Sequence, residues 1–112
     1  MNFQYPFKLS GKITEDWSKV TNSQWKKMLP KNWTDKGFHF YNRIKTRGPK
    51  AGIQTPSDFE SYFTNGILSL DHGNRYKVRT TIINGNSEHL TFFYDYNKTK
   101  KQCELVTTSY EA

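Results

Sequence analysis

Large apolar residues recur at helical spacing through residue 67, and at alternating spacing from residue 76 onward. Trp17, Val20, Trp25, Met28 and Leu29 fall in two short segments, "TEDWSKV" and "TNSQWKKML". Each opens on a residue suited to capping, Thr14 in one and Thr21 or Asn22 in the other, and Glu15 and Asp16 suit the first turn of a helix dipole. Pro30 ends the second helix, and "PKNWTDKG" reads as a loop. A third helix is expected over 38–47. Phe40, Tyr41 and Ile44 then share one side, and His39, Arg43 and Arg47 form a neighbouring row of i, i+4 partners.

"RGPKAGIQTP" is rich in Gly and Pro and predicts a turn segment. Thr55-Pro56-Ser57-Asp58 then starts another helix, with Thr as N-cap, Pro at the first helical position and an acid at the third. Phe59, Tyr62, Phe63 and Ile67 continue a helical stripe, Gly66 helps to end it, and "LDHGN", with His72, reads as a turn. Beyond it the period is two. "NRYKVRTTII" sets Tyr76, Val78, Thr80 and Ile82 against Lys77, Arg79 and Thr81. Asn84-Gly85 is a strong hairpin signal. "EHLTFFYDYN" places Leu90, Phe92, Tyr94 and Tyr96 on one face and His89, Thr91, Phe93 and Asp95 on the other. "NKTKK" turns the chain into "QCELVTTSY". There Val106, Thr108 and Tyr110 are expected on one face, and Cys103, Leu105 and Thr107 on the other.

These elements predict one α+β domain over residues 1–112. It has a helical N-terminal portion (1–36), a helical pair (37–67) and an antiparallel meander (75–110). The helices should pack on one face of a small twisted antiparallel sheet of three to four strands, leaving the other face open. The length suits a single core. Aromatics are 16% of the chain, which lets a sequence with only 34% hydrophobic residues bury enough area to fold.

Charge narrows the partners. The net charge of +7 favours a polyanion, an anionic membrane or an acidic protein. The excess sits early: residues 1–36 carry seven lysines against three acids, whereas 68–112 carry six basic groups against five acids. No apolar run is long enough for a membrane span, and "MNFQYPFKLSGK" does not read as a signal peptide. The single cysteine, Cys103, allows no intrachain disulfide and no Cys-based zinc site, and its strand-like neighbours predict a packed thiol. A domain acting in a reducing compartment, or delivered by a larger machine, fits these features.

Candidate chemistry follows from what is present. The three histidines, 39, 72 and 89, have no H-x-x-x-H spacing, and no phosphate-binding glycine loop occurs, so neither a metal nor a nucleotide cofactor is expected. His, Arg, Lys, Thr and Tyr remain, and they are sufficient for RNA cleavage without a metal. The RNA supplies its own 2′-hydroxyl nucleophile. The protein need only move two protons and stabilise an anionic phosphorane. His39 is the leading general base or acid, because Arg43 one turn away favours a neutral imidazole. His89 is an alternative. Arg43 and Arg47 are candidates to hold the phosphate, and Lys26, Lys27, Lys45, Lys50, Lys77 and Arg79 to grip the RNA backbone.

"FHFYNRIKTRG…TPSDFESYFTNGI" resembles the helical half of bacterial RNase toxin domains of the barnase/EndoU/colicin/RelE superfamily. Such domains are carried by contact-dependent inhibition and other polymorphic toxin systems. His39, Arg43, Arg47 and Gly48 match its first element, Thr55-Pro56 and Asn65-Gly66 its second, and Thr108-Ser109-Tyr110 its last, with Thr107 as an alternative register. The resemblance covers residues 37–110. It implies an RNase fold and activity, with no cofactor, and His39, Arg43, Arg47, Thr108 and Tyr110 as site residues. It further implies tRNA as the commonest substrate class and a cognate acidic immunity protein. The domain is expected to be monomeric, and to be secreted or delivered as the C-terminal part of a larger effector that acts in a target-cell cytoplasm. Two other functions suit the composition. One is a non-catalytic nucleic-acid-binding module using aromatics and lysines. The other is an interaction protein of the phage or immunity type.

Overall fold

Packed rings build the core, and their positions explain which segments become helical. The computed structural model describes residues 7–80 and 89–111. Trp17, Trp25, Phe40, Tyr41, Phe59, Phe63, Phe92 and Tyr94 are all fully buried. Phe59 is central: its ring meets Phe92 edge-on at 5.1 Å and lies 5.3 Å from both Phe40 and Phe63. Such pairs add about 0.5–1.5 kcal/mol each beyond the area they bury.

Helix α1 (Asn22–Met28) opens on a capping box. Thr21 Oγ1 accepts from Gln24 N–H, and Gln24 Oε1 accepts from Thr21 N–H. The earlier segment forms only a 3-10 turn, Trp17–Lys19, rather than the helix expected from Thr14. Its donors are drawn to tertiary partners instead: the Trp17 amide donates to the Gln54 carbonyl, and its indole to the Ile53 carbonyl. Helix α2 (His39–Ala51) buries Phe40, Tyr41 and Ile44, as their spacing predicts. It also runs through Pro49, where a turn segment was expected. Gly48 packs so closely that an added Cβ would lie 3.0 Å from the Ile53 carbonyl oxygen, and the Ile53 amide donates to the Gly48 carbonyl. That contact holds the last turn in place. Gly52, at φ +105°, then ends the helix in the left-handed conformation that suits glycine. Helix α3 (Pro56–Asn65) starts where the sequence places it, with Thr55 Oγ1 accepting from Asp58 N–H.

The sheet has five strands rather than three or four, ordered β1-β5-β4-β3-β2. These are β1 (Trp33–Thr34), β2 (Ile67–His72), β3 (Arg75–Arg79), β4 (His89–Asn97) and β5 (Gln102–Glu111). Two strands depart from expectation. β1 lies inside the supposed loop "PKNWTDKG" and pairs parallel with Cys103–Glu104, so the sheet is mixed. β2 begins at Ile67, which therefore leaves the helical stripe, and it ends at His72, with Gly73 and Asn74 as the turn into β3. The Asn84-Gly85 hairpin signal lies outside the described residues.

A bulge corrects the facing of β5. Phe93 pairs with Thr107 but Tyr94 with Leu105, so Val106 is the extra residue. Thr108 and Tyr110 consequently share the helix-facing side with Cys103 and Leu105, and Thr107 and Ser109 face the other way. Among the described residues no helix is long and apolar enough to cross a membrane.

Candidate functional site

Asp35 sets the start of α2 and hence the place of His39. Its carboxylate accepts from the Phe40 amide at 3.0 Å, the Tyr41 amide at 2.8 Å and the Trp25 indole at 2.9 Å. It therefore caps α2 from outside the helix and ties it to α1. Burial raises its pKa above the ordinary 3.8, while the three donors and nearby His39 pull the other way. Sequence reasoning left Asp35 in a loop. The available signal was an acid shortly before an apolar helical stripe. The chain between them passes through Gly37 and Phe38, both at positive φ, +66° and +56°. For a bulky residue such as Phe38 that conformation is strained.

The His39, Arg43 and Arg47 row does form on α2. Each i, i+4 step turns about 40° around the helix, so the row winds from solvent toward the sheet. His39 and Arg43 are exposed, whereas Arg47 is half-buried. Over the eight residues from His39 to Arg47 the helix rises about 12 Å. At the Arg47 end a two-way clamp joins α2 to β5. The Arg47 guanidinium donates to the Thr108 carbonyl, and the Tyr110 hydroxyl donates to the Arg47 carbonyl at 3.0 Å. At its Arg47 end, then, the row meets the Thr108–Tyr110 segment.

Its chemistry differs from the expectation in one respect. The Thr108 side chain is fully buried, and its hydroxyl has no partner among the described residues. In this conformation the hydroxyl is closed off from solvent, because the Val106 bulge turns it under α2. The Tyr110 hydroxyl is already donating, although the residue is 41% exposed. Lys45 lies over the Tyr41 ring, 5.1 Å from its centre, and Lys50 is exposed in the last turn of α2. Lys26 and Lys27 are exposed on the last turn of α1.

The remaining candidates gather on the opposite side of the sheet. Val78 pairs with Phe92 in the core, so Lys77 and Arg79 face away from the helices. They do not join the α2 row. Register instead aligns Arg79 with Thr91 and Ser109, and Lys77 with Phe93 and Thr107. His89 lies on the same face, two residues from Thr91. Its Nδ1 is 2.7 Å from the Thr80 carbonyl oxygen. A carbonyl can only accept, so that nitrogen carries the proton and Nε2 is left as the basic nitrogen of the neutral ring. His72 is exposed at the end of β2, where its Nδ1 lies 2.7 Å from Asp71 Oδ2.

A groove of about 800 Å³ opens elsewhere, between the end of α1, β1 and the turns at the ends of β3 and β4. Lys26, Lys36 and Lys100 line it together with Asp35, Asp95 and Glu104, so it has no single sign. Cys103 reaches it too, but burial pushes that thiol up to about 12, which suits the packed role expected of it. Compared with protein-family models, with curated proteins and with solved structures, the chain matches none.

Proposed function

We propose that this protein is a metal-independent endoribonuclease of the toxin type. The observation that carries this is the α2 row: an exposed histidine and arginine one turn apart, on a helix whose far end is clamped to β5 through Arg47 and Tyr110. His39 would take the 2′-hydroxyl proton. The 2′-oxygen would bond to phosphorus as the bond to the 5′-oxygen breaks, leaving a 2′,3′-cyclic phosphate; solvent water would protonate the departing 5′-oxygen, and the His39 imidazolium would return its proton to the hydroxide so formed. Arg43 would offset charge on the phosphorane, and Arg47 would hold the helix against β5 and add positive potential. Lys45 and Lys50 extend the basic surface along the same helix. The resemblance noted above supports tRNA as the substrate class, an acidic immunity protein as partner, and delivery by a larger effector into a target cell. The net charge of +7 suits both the RNA and the acidic partner.

A second placement of the same reaction is favoured by the His89–Thr80 contact. A ring with its Nδ1 proton fixed and Nε2 available, on a sheet face that carries Arg79 and Lys77, is equipped for proton transfer beside a phosphate. Incubation with total RNA in EDTA, using the His39→Ala and His89→Ala variants, separates the two. Loss of cleavage with His39→Ala alone supports the helical site, and loss with His89→Ala alone supports the sheet face. RNA binding without cleavage by any form would identify a non-catalytic binding module. Cleavage abolished by EDTA would overturn the metal-independent mechanism.

A further inference from the structure

The two edges of the sheet are treated differently. At one edge β5 is covered by β1 at Cys103–Glu104, and further along the Thr108 carbonyl is taken by Arg47. At the other edge β2 pairs only with β3, and no described strand pairs with its outer side. An edge strand presents every second N–H and C=O outward, and proteins usually protect such edges with lysine, proline or an early bulge. Ile67–His72 contains neither Lys nor Pro, and its one irregularity comes after Leu70. Ile67 is 64% exposed and Leu70 is 58% exposed. The strand is also firmly placed. An added Cβ at Gly66 would lie 2.5 Å from Val78 Cγ1, so the entry to β2 is pressed against β3.

We propose that β2 is a docking edge for an extended segment of an acidic protein, which adds to the sheet as a further strand with alternating apolar and carboxylate side chains. The two faces set that alternation. On the helix side, Leu68 and Leu70 continue the rows of Val78 and Tyr76, giving an apolar shelf. On the other side, Ser69 stands before Lys77 and Ile67 before Arg79. Ser69 is short, so the Lys77 ammonium can lean across it. Two strand spacings are about 10 Å, within the combined reach of a lysine and a glutamate. Main-chain bonds would supply affinity, and the alternating side chains would supply selectivity. A second copy is a poor occupant, because each chain carries +7. The proposal does not rest on RNA cleavage.

The test uses the full chain and a labelled synthetic eight-residue peptide alternating Glu with Val. Fluorescence anisotropy gives its affinity, and backbone amide shifts give its location. Shifts centred on β2, with affinity falling as salt rises, are expected. A Lys/Val peptide, and a Glu/Val peptide with a central proline, should bind about tenfold more weakly or worse. Leu70→Lys and Ser69→Glu, both at exposed positions, should weaken the Glu/Val peptide similarly while leaving the melting temperature unchanged. The proposal is overturned if the shifts map elsewhere, or if the Lys/Val peptide binds equally well. It also fails if sedimentation shows a dimer that Leu70→Lys dissociates, since β2 would then serve a second copy.

Discussion

Asp35 and Cys103 show how burial sets the behaviour of single groups. Removing the Asp35 carboxylate orphans three donors, those of Trp25, Phe40 and Tyr41. Asp35→Ala should therefore cost about 2 kcal/mol in urea unfolding. The acid dependence is separable. Because burial raises the folded pKa above 3.8, the contribution of Asp35 to stability is full below that pH and is lost as pH rises through the folded value. Wild type should thus lose stability relative to Asp35→Asn across that window, as a pH series of urea titrations would show. An opposite slope would mean that the donors outweigh burial. Cys103 is almost completely buried, and its thiol is pushed up to about 12. It should resist a thiol-specific reagent in the native protein and react at once in denaturant.

At the scale of elements, long patterns were legible in the sequence and short ones were not. Helix α3 follows from the Thr55–Asp58 start, and the buried side of α2 follows from Phe40, Tyr41 and Ile44. Alternation likewise gave β3 and β4 their correct faces. β1 was hidden because a two-residue strand has no period to read. β2 was hidden because Ile67 extends the helical spacing of Phe59 and Phe63, although Leu68 and Leu70 alternate ahead of Gly73-Asn74. Pro49 misled because propensity places it outside a helix, whereas the contact of Gly48 with Ile53 holds the last turn. The α2 row was readable from spacing, but the burial of Thr108 was not, because a bulge leaves no mark in composition. The junction of α3 and β2 offers a direct check. Gly66→Ala would force Cβ against Val78 Cγ1 and the Arg79 carbonyl, so a loss of about 1–3 kcal/mol is expected in thermal or urea unfolding. An unchanged midpoint would mean that β2 can pull away from β3.

For the molecule as a whole, the sheet separates two basic surfaces. One lies along α2, with Arg43, Lys45 and Lys50. The other is the sheet face turned away from the helices, with Lys77 and Arg79. If RNA contacts both, the salt dependence of binding should exceed what either surface gives alone. Each phosphate contact contributes about 0.7–0.9 to the slope of log K against log salt. Arg43→Ala and Lys77→Ala should then each lower the slope by about that amount, and their effects should add. If one variant leaves the slope unchanged, its surface lies off the RNA path.

The extra residue at Val106 also predicts how β5 should tolerate change. Up to Leu105 the odd-numbered positions face the helices, and from Thr108 onward the even-numbered ones do. A saturation scan of Gln102–Tyr110, scored by folded yield, should show intolerance at Cys103 and Leu105, then a phase slip, then intolerance at Thr108. Polar substitutions should pass at Glu104, Thr107 and Ser109. Thr107 and Thr108 both follow the extra residue and lie on opposite faces of the sheet, Thr108 toward the helices and Thr107 away from them, so the slip decides which of the two is packed under α2.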